Sequence, residues 1–400
     1  MAWVFALGYA AVWGIAGRLW TGPLNDLDIF SLPAARIALS GHPLQVYALR
    51  FQSIIANDNG PLGLVPLTAL AALASRLGWL DDVRLRRMLI LAAFSIFIVL
   101  MSREAVAAID RMRGARLEGW GRLLAYGVFV ASPSLWNSVL GYGHVEQPLT
   151  IWLVLLGVRK LAGERPAIAG FSFGLALLTR TLATLPIIPL ALLLLVRGRW
   201  RSVVLMTGTA AFTVALGLLP FVLADPGDTL YSLVTHRGTL AVSGGSIWRI
   251  AVGTPYEWIP QRLDIIFVLG LAVLACLIVI RARPDLQPSS GDIYGLLALS
   301  ALTLPLLAKN VWPYYFLDAY VYGAIWWLGQ VKPLGLARRL IGPALPLIAV
   351  IGTSLTEVEM GPTDALLRLR EGVTMGVLLI IVIVALTVRL RQRPRSIRAA

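Results

Sequence analysis

The stretch P-L-G-L-V-P-L-T-A-L-A-A-L-A-S-R-L-G-W, Pro61 to Trp79, decides how the chain is threaded. It is apolar and approaches the length of about 20 residues that a bilayer-spanning helix needs. Counted as a span, it would place the next basic loop, with Arg111, Arg113, Arg116 and Arg122, on the outer side. Cytoplasmic loops carry the excess of Lys and Arg in membrane proteins, which argues against that threading. A juxtamembrane helix at the outer surface, anchored by Trp79, resolves the conflict. The first outer loop then runs from Thr21 to about Arg87, residues 21–87.

Working outward, the runs predict helices over Trp3–Trp20, Met88–Ala107, Leu123–Leu140, Pro148–Leu161, Ala167–Thr181, Ala183–Val196, Val203–Leu223, Ile265–Ile280, Ile293–Ala308, a run ending near Gln330, Leu340–Thr356 and Val373–Val388. That is about twelve spans in one transmembrane domain covering residues 1–400, with both termini cytoplasmic. A second outer loop is expected over 225–264. Every strongly basic block falls on the inner side except Arg84, Arg86 and Arg87.

The fold class is therefore an all-α polytopic membrane bundle. Of 400 residues, 58% are hydrophobic and only 14% charged, which excludes an ordinary soluble domain. The net charge of +14 sits in short blocks between apolar runs, as beside anionic lipid, so nucleic acid is not an expected partner and membrane lipids are. A single cysteine, Cys276, excludes an internal disulfide and any metal site built on paired cysteines. The start M-A-W-V-F-A-L-G-Y has no basic leader and reads as a retained first helix.

Polar residues that a plain bundle does not need gather at the outer ends of the helices. Asp26 and Asp28 stand in N-D-L-D-I-F just past the first run. A carboxylate at a low-dielectric lip can serve as a general base or bind a divalent cation through oxygen ligands; the plainer reading is solvation or helix capping. His144 and Glu146 in G-Y-G-H-V-E-Q lie at the same face, suited to acid/base work or hydrogen bonding to sugar hydroxyls, or simply to a solvated turn. Arg180 and Lys309 offer donors to a phosphate, or anchor to headgroups. His236, Arg237 and Arg249 add positive charge in the second outer loop. Trp248, Trp312, Tyr314 and Tyr315 offer aromatic faces, although interfacial belts use the same residue types.

These motifs together resemble the GT-C superfamily of polytopic glycosyltransferases, especially bacterial members that use polyprenyl-phosphate sugars. The family pattern of approximately D-x-x-x-Y/F-x-x-x-A-x-x-x-x-x-G-x-x-P-Y is similar to D-I-F-S-L-P-A-A-R-I-A-L-S-G-H-P-L-Q-V-Y, in which Asp28 takes the place of the catalytic aspartate and Gly41, Pro43 and Tyr47 match loosely. The helix from Pro61 resembles the family's juxtamembrane helix. G-H-V-E at Gly143–Glu146 resembles G-H-x-D/E, and I-A-G-F-S-F-G-L-A-L-L-T-R resembles A-G-x-x-x-G-L-A-x-x-T-K with Arg180 in place of lysine.

The resemblance implies an inverting transferase in the bacterial cytoplasmic membrane with its active site on the outer face. A sugar, mannose being the preferred choice, would pass from a polyprenyl-phosphate donor to a glycan, lipid or secreted acceptor. Asp28 would be the catalytic base, and Arg180, with Lys309 or Arg249, would hold the phosphate. Asp26, His144, Glu146, His236, Arg237 and Tyr314 complete the expected binding set, and no metal or other cofactor is required. The alternative is a secondary transporter or lipid-linked-sugar flippase, which equal inverted halves would favour. No such symmetry is visible: the juxtamembrane helix occurs once.

Overall fold

The protein is described by a computed structural model covering residues 25–48, 57, 59–330 and 365–392. The helices expected at Trp3–Trp20 and Leu340–Thr356 lie outside the described residues. A π-helical turn, Leu27–Ser31, runs into α1 (Leu32–Leu39); then follow α2 (Pro61–Arg76), α3 (Val83–Arg113), α4 (Gly119–Val130), α5 (Gln147–Ala162), α6 (Pro166–Thr179) and α7 (Thr184–Val196). The second half holds α8 (Trp200–Ala224), α9 (Trp258–Ala282), α10 (Asp292–Ala301), α11 (Phe316–Gln330) and α12 (Ala365–Arg391). A parallel two-residue bridge, β1 (Ser243–Gly244) with β2 (Asn310–Val311), ties two of the connections together.

The chain is an all-α, multi-span membrane bundle. Among the described residues, five helices are long and apolar enough to cross a bilayer: α3, α4 with its continuation to Tyr142, α8, α9 and the last part of α12. Shorter apolar helices occupy 61–76, 166–179, 181–196 and 292–307. Only 17% of the most apolar window of α8 is buried, against 56% in α3, so α3 is interior and α8 peripheral. The second outer loop is shorter than expected, because α9 begins at Trp258 and Asp264 is already helical. Extending the helix satisfies backbone donors and acceptors that a loop would leave unpaired at the edge of a membrane.

Local chemistry accounts for the helix limits. The Asp82 carboxylate accepts from the amides of Arg84 and Leu85 at 2.9 and 3.0 Å and so starts α3. Gly114, in the left-handed region, ends it. Proline stands in the first turn of α2, α5 and α6, where its missing N–H is no loss. The start of α2 docks on backbone at the end of α6, with the Gly60 amide donating to the Thr179 carbonyl at 3.2 Å. A Cβ at Gly60 would meet the Leu178 carbonyl oxygen at 2.0 Å, so only glycine fits there.

The alternation of helices collects the basic residues at one end. Arg197 donates to the carbonyls of Ile280, Arg283 and Leu286, and Arg113 to that of Leu328. Arg283 is the knot of this end: it pairs with Asp285 at 2.8 Å and Asp292 at 3.1 Å, and donates to the carbonyls of Leu390, in the last turn of α12, and of Gln392 just beyond it. Its side chain is 4% exposed. Arg283→Ala should therefore cost about 1–3 kcal/mol by leaving Asp292 and the Leu390 carbonyl without their donor, Asp285 being half exposed and able to turn to water, read as a lower apparent melting temperature in detergent.

Candidate functional site

The candidate site lies at the other end of the bundle, where α3, α5, α7, α9 and α11 begin. Three π-helical turns, Leu27–Ser31, Asn137–Tyr142 and Tyr231–Thr235, deliver groups to it. The first opens just after Asp26, the second leads through Gly143 to His144, and the third precedes His236. Such turns widen a helix locally and recur at functional sites because they re-aim neighbouring side chains.

The loops carrying Asp26 and His144 are packed against each other. Asn25 Nδ2 donates to the Leu140 carbonyl at 3.2 Å. Gly143 has φ +81°, and a Cβ there would meet Leu27 at 2.7 Å, so glycine is required by both conformation and contact. This holds Asp26 Oδ2 at 3.1 Å from His144 Nε2. The other ring nitrogen, Nδ1, lies 3.2 Å from Glu146 Oε1, and the same oxygen faces Arg180 Nε at 3.6 Å. The His144 ring packs on Tyr314 at 4.0 Å, and the Arg180 guanidinium lies over the same tyrosine at 5.5 Å.

Tyr314 joins this cluster to a second one. It meets Tyr315 edge to face at 4.7 Å, and the Tyr315 hydroxyl accepts from Arg237 Nη1 at 3.2 Å. Arg237 Nη2 is 3.9 Å from Asp264, too far for a hydrogen bond. Arg237 Nε and Nη2, His236 Nδ1 and His144 Nε2 are all buried without a hydrogen-bond partner among the described residues, the 3.1 Å approach of Asp26 to His144 Nε2 being an ion-pair distance without hydrogen-bond geometry. A narrow cavity beside the tyrosines is lined by Gln147, Thr150, Arg180, Tyr315 and Asp318, with Leu185 and Leu304 as apolar wall.

Asp28 is placed differently from the expectation for a base. Arg86 Nη2 donates to its Oδ1 at 2.7 Å, and Arg87 donates to its Oδ2 through Nε at 3.1 Å and through Nη2. The side chain is 2% exposed. Asp26 is 30% exposed, and its Oδ1 makes no hydrogen bond among the described residues. Asp26, not Asp28, thus presents a free carboxylate oxygen. The pairing gives Arg86 and Arg87 a structural role at this end: they hold the first π turn onto α3.

The remaining expected residues take other places in the fold. Lys309 is fully buried, with Nζ donating to the carbonyls of Gly238 at 2.9 Å and Gln261 at 3.1 Å, while its amide donates to Asp264 at 3.0 Å. It is a brace between connections, not a headgroup anchor. Arg180 is held between Glu146 and the Tyr314 ring. Arg249 is half-buried on the turn Ile247–Ala251, beside α12. Gln147 and Asp318 were not anticipated: Gln147 Nε2 donates to Asp318 at 2.8 Å and to the Tyr314 carbonyl at 3.0 Å, and its Oε1 accepts from Ser138. Gln147 directly follows Glu146, and that adjacency was the only signal for it.

Burial pulls the His144 imidazole toward neutrality, but the flanking carboxylates of Asp26 and Glu146 outweigh it and raise its pKa above the ordinary value. Burial likewise disfavours ionised Glu146, yet His144 and Arg180 bring its pKa below the usual carboxylate value. The stabilisation from charged His144 is fully present below the ordinary histidine pKa of about 6.5 and is lost as pH rises through the higher folded value. The contribution of Glu146 is lost in the opposite direction, as pH falls through its lowered value. The melting-temperature advantage of the wild type over His144→Asn should accordingly be largest below about pH 6.5 and shrink as the pH is raised above it.

Among the described residues, no group of three His, Cys, Asp or Glu is arranged to hold a metal ion. Asp26 and Glu146 lie on opposite nitrogens of one imidazole and do not converge on a common point. No protein-family model matches the chain, and no curated protein matches it.

Proposed function

We propose that this protein is an inverting glycosyltransferase that takes a sugar, with mannose the preferred choice, from a polyprenyl-phosphate donor. The supporting observation is the pairing, along one chain of contacts, of a carboxylate with a free oxygen at Asp26 and an unpartnered guanidinium edge at Arg237. The chain runs from Asp26 through His144, Tyr314 and Tyr315 to Arg237. The Nε and Nη2 edge of arginine matches two oxygens of a phosphate. A buried edge left without a partner is costly unless a ligand satisfies it.

In this reading the acceptor hydroxyl attacks the anomeric carbon, Asp26 Oδ1 takes the hydroxyl proton, and the bond from that carbon to the phosphate oxygen breaks. The phosphate leaves with the bonding electron pair, stabilised by Arg237. His144, held by Glu146, orients the Asp26 carboxylate. With the basic end read as the cytoplasmic side, which the distribution of Lys and Arg supports, the reading has the site on the outer face of a bacterial cytoplasmic membrane.

The test is binding of radiolabelled polyprenyl phosphate to protein in lipid. Arg237→Gln should weaken it by about 10- to 100-fold, from loss of roughly 1.5–3 kcal/mol of charge-assisted hydrogen bonding. Arg237→Lys keeps the charge without the two-pronged edge and should fall between. Equal binding by wild type and Arg237→Gln would remove Arg237 from the phosphate site.

A further inference from the structure

The segment between α8 and α9 begins with a continuous helical stretch, residues 226–239, made of Pro226–Leu230, Tyr231–Thr235 and His236–Thr239. Its sidedness is the reverse of what water requires. Thr229, Ser232 and His236 point inward and are 1%, 1% and 7% exposed, while Leu230 and Val234, one turn apart, are 53% and 69% exposed. The exposed positions, Pro226, Gly227, Leu230, Val234, Thr235, Gly238 and Thr239, include no charged residue. Both exposed threonines turn their hydroxyls back onto backbone: Thr235 to the Tyr231 carbonyl at 3.2 Å, Thr239 to that of His236 at 2.7 Å. A helix on an aqueous surface shows its polar face outward; one in lipid satisfies its polar groups internally.

The apolar face also continues a surface that already faces lipid. Leu216, Leu219 and Leu223 on the peripheral helix α8 are exposed, and the chain passes from Leu223 to Leu230 within seven residues. Beyond the segment, Tyr256 and Trp258 are 66% and 51% exposed at the start of α9, a position suited to the headgroup boundary.

We infer that residues 226–239 are not an aqueous loop but a re-entrant piece embedded in the bilayer, with Leu230 and Val234 against acyl chains and His236 turned into the protein. The occupant of this face is membrane lipid, by continuity with α8. The inference is independent of the reaction proposed above.

Site-directed spin labelling tests it, since the one native cysteine, Cys276, is fully buried in α9. Leu230→Cys and Val234→Cys would each carry a nitroxide in full-length protein reconstituted in phosphatidylethanolamine and phosphatidylglycerol vesicles. Phe212→Cys on the exposed side of α8 provides the lipid reference, and Asp81→Cys, whose native side chain is 91% exposed, the aqueous one. The expected result is collision with oxygen over a nickel chelate in a ratio close to that at 212 and several-fold above that at 81. Access of the chelate as at 81 would overturn the inference, and shielding from both reagents would do so too, by showing a second copy or another protein on this face. Val234→Cys reads the same face should Leu230→Cys fold poorly.

Discussion

Asp26→Asn is expected to lower the rate of sugar transfer by about 10²- to 10⁴-fold, the range a positioned general base contributes. Donor binding and folded yield should stay near the wild-type level. The physical basis is the accessibility of one oxygen. Asp26 Oδ2 lies 3.1 Å from His144 Nε2, and Oδ1 makes no contact with a donor among the described residues, so the amide replacement removes proton-accepting ability with little change in volume. Because the amide has the same shape and keeps the place of Oδ2 beside His144 Nε2, the loss should appear in kcat more than in KM. Steady-state transfer measured at saturating donor separates the two, and an unchanged kcat would remove Asp26 from the chemistry.

Asp28→Asn should act on stability instead. Both oxygens of Asp28 are occupied by arginines whose own side chains are 7% and 13% exposed. Removing the single negative charge leaves two buried cations with no counter-charge, and breaking a buried ion pair costs roughly 3–5 kcal/mol. The apparent melting temperature in detergent should fall sharply. Replacing Arg87 by Gln in the Asp28→Asn background should recover part of the loss, since it removes one of the two stranded charges. Were Asp28 the base, its amide variant would be folded, stable and inactive, and the second replacement would restore nothing.

The contrast between these aspartates shows what could be read from the chain. The helices were legible because apolar runs in a membrane protein must satisfy their backbone internally: α5, α6, α7 and α8 begin and end within a few residues of the expected limits, while α3 extends beyond them at both ends. The broken path from Ile293 to Ala308 was not legible: it divides into α10 and a further turn, Thr303–Leu307. Nor was the inverted stretch 226–239, because its mixed composition looks like a loop until burial shows which residues face inward.

Within the site, Asp26, His144, Glu146, Arg180 and Tyr314 were legible as polar or aromatic groups at one face, and the fold brings them together. Which aspartate is free was not, because the answer depends on Arg86 and Arg87, about 60 residues away along the chain. The tyrosine bridge to Arg237 could not be anticipated, since it joins segments 78 residues apart through one hydroxyl.

The most direct measurement of the central proposal is turnover of a panel of radiolabelled polyprenyl-phosphate sugars by purified protein in lipid, with wild type and Asp26→Asn side by side. The predicted result is that wild type consumes one donor and releases polyprenyl phosphate, while Asp26→Asn binds the same donor without consuming it. Equal consumption by both proteins would contradict Asp26 as the base, and failure of the wild type to bind any donor in the panel would contradict the transferase reading itself.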